Sequence, residues 1–208
     1  MSSYMPHTRS VSICIFVGAG SRYEDESQAG ISHFVEHMLF KGTKKWPSSI
    51  DISGAIEGIG GMMNASTDRE LTSYWCKVAK PHFLQGLDVL VDFLRHSTFD
   101  PKEVETERSV VQEELGMSND HPSYRVDVLI DDMLWPNQPM GRDVGGTKGS
   151  VQEISRDMLV DCFSRQYVPS NMVISVAGDV SHGEVLEALH PLVDQWEGGT
   201  PLPWHPAT

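Results

Sequence analysis

Strand-like segments set between stretches of helical periodicity decide what this chain can fold into. SVSICIFVGAG, residues 10–20, gathers β-branched and aromatic residues and closes on glycine, which reads as a buried strand and a turn. MMNAST and LTSYWCKVA read as a hairpin around Asp68 and Arg69, and NMVISVAGD as a second buried strand. Just upstream of Ser10 there is no room for a partner strand. Ser27 can cap a helix reaching Lys41, where Gly42 supplies a stop. Residues 47–59 look helical, with Ile50, Ile52, Ala55 and Ile56 on the apolar side. Leu84, Leu87, Val91 and Leu94 mark an amphipathic helix over 83–94. Asp100, Pro101 and Glu103 open another that continues to Gly116. Further helices are expected at 124–134, 155–165 and 183–196. Antiparallel strands mixed with helices make the class α+β: a mainly antiparallel sheet covered by helices.

The 208 residues, 39% of them apolar, suit one domain with a core of normal size, expected over 10–197. The tail GGTPLPWHPAT, 198–208, reads as a linker. A net charge of −13 argues against nucleic acid as a partner, since phosphates need a basic footprint. No apolar stretch is long enough to cross a bilayer, and MSSYMPHTRS lacks the hydrophobic centre of a signal peptide. The expectation is no membrane partner and a cytoplasmic or mitochondrial-matrix-like compartment. Cys14, Cys76 and Cys162 form no CxxC pair and read as small buried hydrophobes. The glycine-rich GRDVGGTKGS, near Lys148, lacks P-loop spacing and reads as a surface loop.

The chemistry sits in the first helix. His33, Glu36 and His37 occupy positions i, i+3 and i+4, so all three leave one face. Two imidazoles there can share one metal ion. Zinc suits two nitrogens and a carboxylate with a position left for water, and a glutamate beside it can take the water's proton. The order His-x-x-Glu-His is the inverse of His-Glu-x-x-His. The motif alone does not separate a metal helix from one whose histidines only pack, so a third ligand is needed. In the helix after Pro101, Glu107 and Glu114 lie seven residues apart and project in nearly the same direction. Glu114 sits on a semi-apolar stripe beside Leu115, where a carboxylate is costly unless paired or bound to metal. Glu113 points about 100° away, toward the side of Ser109 and Met117. Glu114 is therefore the chosen ligand and Glu107 its supporting group, with Glu103 and Glu105 on a solvated face.

HFVEHMLFKGT, NAST and ETERSVVQEEL resemble the successive signatures of the insulinase or pitrilysin family, closest in style to mitochondrial processing peptidase and its bacterial homologues. The segment 141–180 is similar as well, so the likeness runs from Ser10 to Val180. The resemblance implies zinc held by His33, His37 and Glu114, water activated by Glu36, and support from Glu107. It also implies a peptide substrate docking as an added strand near the glycine-rich hairpin, with Asn64 and Ala65 as substrate contacts. Two departures stand out. The family's opening strand is absent or replaced by the first residues, so 1–9 read as a partial or extraneous N-terminus, and the second homologous domain that closes over the substrate is missing. The function expected is a zinc endopeptidase acting on unfolded or presequence-like peptides. The alternatives are a non-catalytic homologous subunit that keeps the site for binding, and a structural zinc site, which would need a fourth protein ligand.

Overall fold

In the computed structural model, which describes residues 1–207, five strands form one sheet in the order β1-β5-β2-β4-β3. β2 (Ser10–Val17) turns Val11, Ile13, Ile15 and Val17 to the core and leaves Ser12 and Phe16 on the open face, the period-two alternation of a strand. β4 (Thr72–Ala79) buries Thr72, Tyr74, Cys76 and Val78 and runs antiparallel to β2, Ser10 opposite Ala79 and Val17 opposite Thr72. β3 (Met62–Thr67) completes the hairpin and forms one edge of the sheet. β5 (Met172–Gly178) lies antiparallel on the other side of β2.

β1 (Ser2–Tyr4) overturns the expectation that there is no room for a partner strand upstream of Ser10. It runs parallel to β5, with Ser2 opposite Val176 and Tyr4 opposite Gly178. Three residues are too few to display alternation, and their partner lies at the far end of the chain.

The helices are α1 (Ile31–Leu39), α2 (Ser49–Glu57), α3 (Phe83–His96), α4 (Pro101–Asp120), α5 (Pro122–Leu134), α6 (Lys148–Glu153), α7 (Arg156–Gln166) and α8 (His182–Val193). Phe34, Met38, Leu87, Leu90, Phe93 and Val111 from these helices share one core with the buried face of the sheet. Asp100 caps α4 by accepting from the amides of Lys102 and Glu103, as its sequence announces. Ser48, Ser155 and Ser181 close capping boxes on α2, α7 and α8.

Several boundaries differ from expectation. α1 starts at Ile31, not after Ser27, and its N-cap is Gly30 with φ of 91°. The cap comes from a distance: the buried carboxylate of Glu24 accepts from the amides of Gly30 at 2.8 Å and Ser32 at 2.9 Å. α4 runs through Gly116 to Asp120, since a lone glycine costs a helix only about 1 kcal/mol. Ile50 and Leu84, assigned to core-facing stripes, are 79% and 64% exposed. Residues 141–149 are not simply a surface loop. Gly145 and Gly146 are buried, and α6 begins at Lys148 under a Thr147 cap.

The tail has no helix or strand in 198–207 but lies against the body. The amide of Leu202 donates to Oε1 of Gln166, that of His205 to the carbonyl of Arg22, and Trp204 packs under the Arg22 guanidinium. Cys76 is buried, Cys14 and Cys162 are partly so, and all three are free thiols. Among the described residues no helix is long and apolar enough to cross a membrane.

Candidate metal centre

α1 buries Ile31, Phe34, Val35, Met38 and Leu39 and leaves a polar stripe of His33, Glu36 and His37 facing α4 and β3. The imidazoles meet edge to face, their Nε2 atoms 3.2 Å apart. Across from them α4 presents Glu114, whose Oε2 lies 3.3 Å from His37 Nε2 and 3.8 Å from His33 Nε2. One helical repeat earlier, Glu107 is buried and meets His37 from behind, Oε2 to Nδ1 at 3.1 Å. Its other oxygen takes the ammonium of Lys41. Glu113 turns away, lining a shallow surface with Ser109 and Met117.

The donor set fits zinc. Two ligands each about 2.1 Å from a tetrahedral ion stand about 3.4 Å from each other, close to the separations of 3.2, 3.3 and 3.8 Å found here. The three donor atoms form the one such group of His, Cys, Asp and Glu side chains found among the described residues, all within 4.8 Å of one another. Among the described residues no fourth protein donor joins them, as a closed structural site would require. Burial, with His37 beside it, holds His33 well below the usual imidazole range, at about 4, so its nitrogens stay neutral and available as donors. Burial also pulls His37 down, but the hydrogen bond to Glu107 and the charges of Glu114, Glu107 and Glu36 outweigh it and raise the pKa.

Glu36 lies beside this group with its Oε2 held by the Thr67 hydroxyl of β3. Burial raises its pKa, opposed by the Thr67 hydrogen bond and by His37. Next to it opens a cleft of about 490 Å³ that Glu36, His37, Glu107 and Glu114 line together with Lys41, Ile50 and Asn64. Asn64 is exposed on β3, with its Oδ1 accepting from the amide of Ala65 at 2.9 Å. Ala65 does not line the cleft but packs against the core. Thr67 and Lys41 escaped the sequence reading. Lys41 carried a usable signal, because it follows His37 at i+4 on the same face. Thr67 carried none, since only the pairing of β3 beside α1 brings it to Glu36.

Residues 1–148, which hold all the residues named above, match the model of "Insulinase (Peptidase family M16)", and 153–208 match "Peptidase M16 inactive domain". The chain is 39% identical over 193 residues to the uncharacterized zinc protease YmxG of Bacillus subtilis, covering 93% of this chain and 46% of that one. It is 34% identical over 180 residues to the mitochondrial-processing peptidase subunit beta of Dictyostelium discoideum, covering 85% and 38%. In fold it is similar to a protease from Helicobacter pylori, with TM-score 0.92 and 22% identity over all of this chain and 50% of that one. The first half of the periplasmic protease PqqL from Escherichia coli gives TM-score 0.87 and 24% identity over 99% and 46%. This chain thus spans about half the length of the relatives it matches, or less. On these matches, the chain belongs to the insulinase family, peptidase family M16.

Proposed function

We propose that this chain is the zinc-binding catalytic domain of an endopeptidase acting on unfolded or presequence-like peptides. The observation that carries the reading is the convergence of His33, His37 and Glu114 beside a second carboxylate, Glu36, that is left over as a base. When bound, zinc supplies a Lewis acid that polarises a carbonyl and acidifies water. The residues do the rest. His33 and His37 would hold the ion through Nε2 and Glu114 through its carboxylate. Glu107 fixes the ring of His37 by its Nδ1, and such supporting partners orient metal ligands and set their basicity.

Glu36 takes the proton of the attacking water and returns it to the departing amine. Its raised pKa suits both tasks, because a base works best when its pKa lies near the working pH. Thr67 restrains one carboxylate oxygen and leaves the other for the proton. A peptide laid along the free edge of β3 would pass Asn64 and enter the cleft, a strand-addition mode in which main-chain hydrogen bonds supply affinity.

The relatives' greater length supports a second domain that completes the chamber. Positioning a substrate can supply about 7 to 11 kcal/mol of barrier reduction, and an open half-site holds a flexible peptide poorly. The isolated chain is expected to bind zinc in stoichiometric amount and to cleave weakly until that half is added. Metal content and peptide cleavage, measured before and after a chelator and after zinc is restored, test the reading. Cleavage that tracks zinc supports it; cleavage indifferent to zinc removal, or absent even with the second half supplied, refutes it.

A further inference from the structure

A second cavity, of about 300 Å³, opens between α4, α5 and the 141–149 loop. Its wall adjoins the metal centre. Asp143 and Gly146 line it, and a side chain placed on Gly145 between them would stand 2.8 Å from Leu115 Cδ2 and 3.7 Å from His33 Nδ1. The floor is apolar, with Leu115, Val128 and Leu129.

The charge of this cavity runs against the rest of the molecule. In a chain with 29 acidic and 16 basic residues, Arg125 and Lys148 line it with no acceptor for either side chain among the described residues. Arg142 joins them. It gives one guanidinium nitrogen to the Glu24 carbonyl, while its buried Nε has no acceptor. Of the two acids present, Asp143 is already engaged by the Tyr124 hydroxyl at 2.8 Å and the Gly145 amide at 2.9 Å. Asp132 is the second acid, so the lining sets two carboxylates against three cations, Arg125, Arg142 and Lys148.

We propose that this cavity is a subsite for an aliphatic carboxylate of the bound peptide, either an acidic side chain or a free C-terminus. The proposal rests on the peptidase reading for the source of that carboxylate. Arginine and lysine favour carboxylate over amide because only the carboxylate brings an opposite charge, which adds Coulomb attraction, and can take arginine in a bidentate pair. The apolar floor takes the methylenes. The volume is at the lower bound for ligand pockets, about 300 Å³, and so admits a side chain rather than a folded partner. A lysine in the same place meets the three cations and is rejected.

The first arm of the test needs neither zinc nor turnover. Hexanoate and hexanamide are titrated into the chain while the methyl resonances of Leu115, Val128 and Leu129 are followed by NMR. Hexanoate should shift them saturably and bind about fivefold or more tightly than hexanamide, a preference that Arg125→Gln with Lys148→Gln removes. Both residues are exposed, so the fold tolerates the change. The second arm measures binding of peptides to the Glu36→Gln chain, comparing glutamate with glutamine at each position and a free with an amidated C-terminus, which separates the two sources. Equal affinities for hexanoate and hexanamide, or a preference that survives the double substitution, overturn the subsite and leave the peptidase reading untouched. A hexanoate preference without binding of any peptide supports the cavity and overturns the peptide as its source.

Discussion

One carboxylate oxygen of Glu107 stands 3.1 Å from Nδ1 of His37 while the other takes the ammonium of Lys41. The contact fixes which nitrogen of His37 faces the centre. It also explains how a buried glutamate stays ionised: burial favours its acid form, but the hydrogen bonds and charges of His37 and Lys41 win and lower its pKa. Glu107→Gln keeps the size of the side chain and weakens both contacts. Zinc affinity, measured by competition with a chromophoric chelator, should fall about 10- to 100-fold, the usual effect of losing such a support. An unchanged affinity would remove Glu107 from the metal centre.

Neighbouring glutamates on α4 provide a sharper comparison. Glu114 reaches both imidazoles, whereas Glu113 lies on the face shared with Ser109 and Met117. Glu114→Gln should weaken zinc binding strongly, while Glu113→Gln leaves it within about twofold, as expected of a surface change worth less than about 0.5 kcal/mol. Metal titration of the two variants side by side reads the difference. Equal losses would mean that helical direction does not select the ligand.

Those two contacts separate what was legible in the sequence from what was not. His33, Glu36 and His37 share a helical face by spacing alone, and the seven residues from Glu107 to Glu114 place both on one side of α4. β2 and β4 were legible as strands from their composition and turns, while the alternation that buries every second residue emerges in the fold. Signals of this kind are local. Ser2–Tyr4 lacks one, since its strand is three residues long and pairs with Val176–Gly178. Ile50 and Leu84 fit apolar stripes but sit where their helices reach solvent or the cleft. Thr67 joins the site only through packing of β3 against α1. The late start of α1 depends on Glu24 reaching back to cap it, a contact no cap rule at short spacing anticipates.

The 141–149 segment illustrates the same limit and yields a prediction. Gly146 has φ of 74°, and a Cβ there would stand 2.2 Å from the carbonyl oxygen of Ala29, next to the Gly30 cap of α1. Gly146→Ala adds both a left-handed backbone penalty and a backbone clash, so the chain should lose more than about 1 kcal/mol of stability. Gly183→Ala, at a position with open space around it in α8, is the control and should leave the melting temperature unchanged or higher. Thermal melts of the two zinc-free variants decide. An unchanged melt for Gly146→Ala would show that the loop does not lock onto α1.

The central claim is that Glu36 is a base beside a metal held by His33, His37 and Glu114, and not a ligand itself. Glu36→Gln separates the two roles when zinc content and peptide hydrolysis are measured on the same preparation, with the second half supplied. The account predicts zinc at the stoichiometry of the unmodified chain and hydrolysis lower by about 10²-fold or more. Full hydrolysis in the variant, or loss of zinc together with activity, would contradict it.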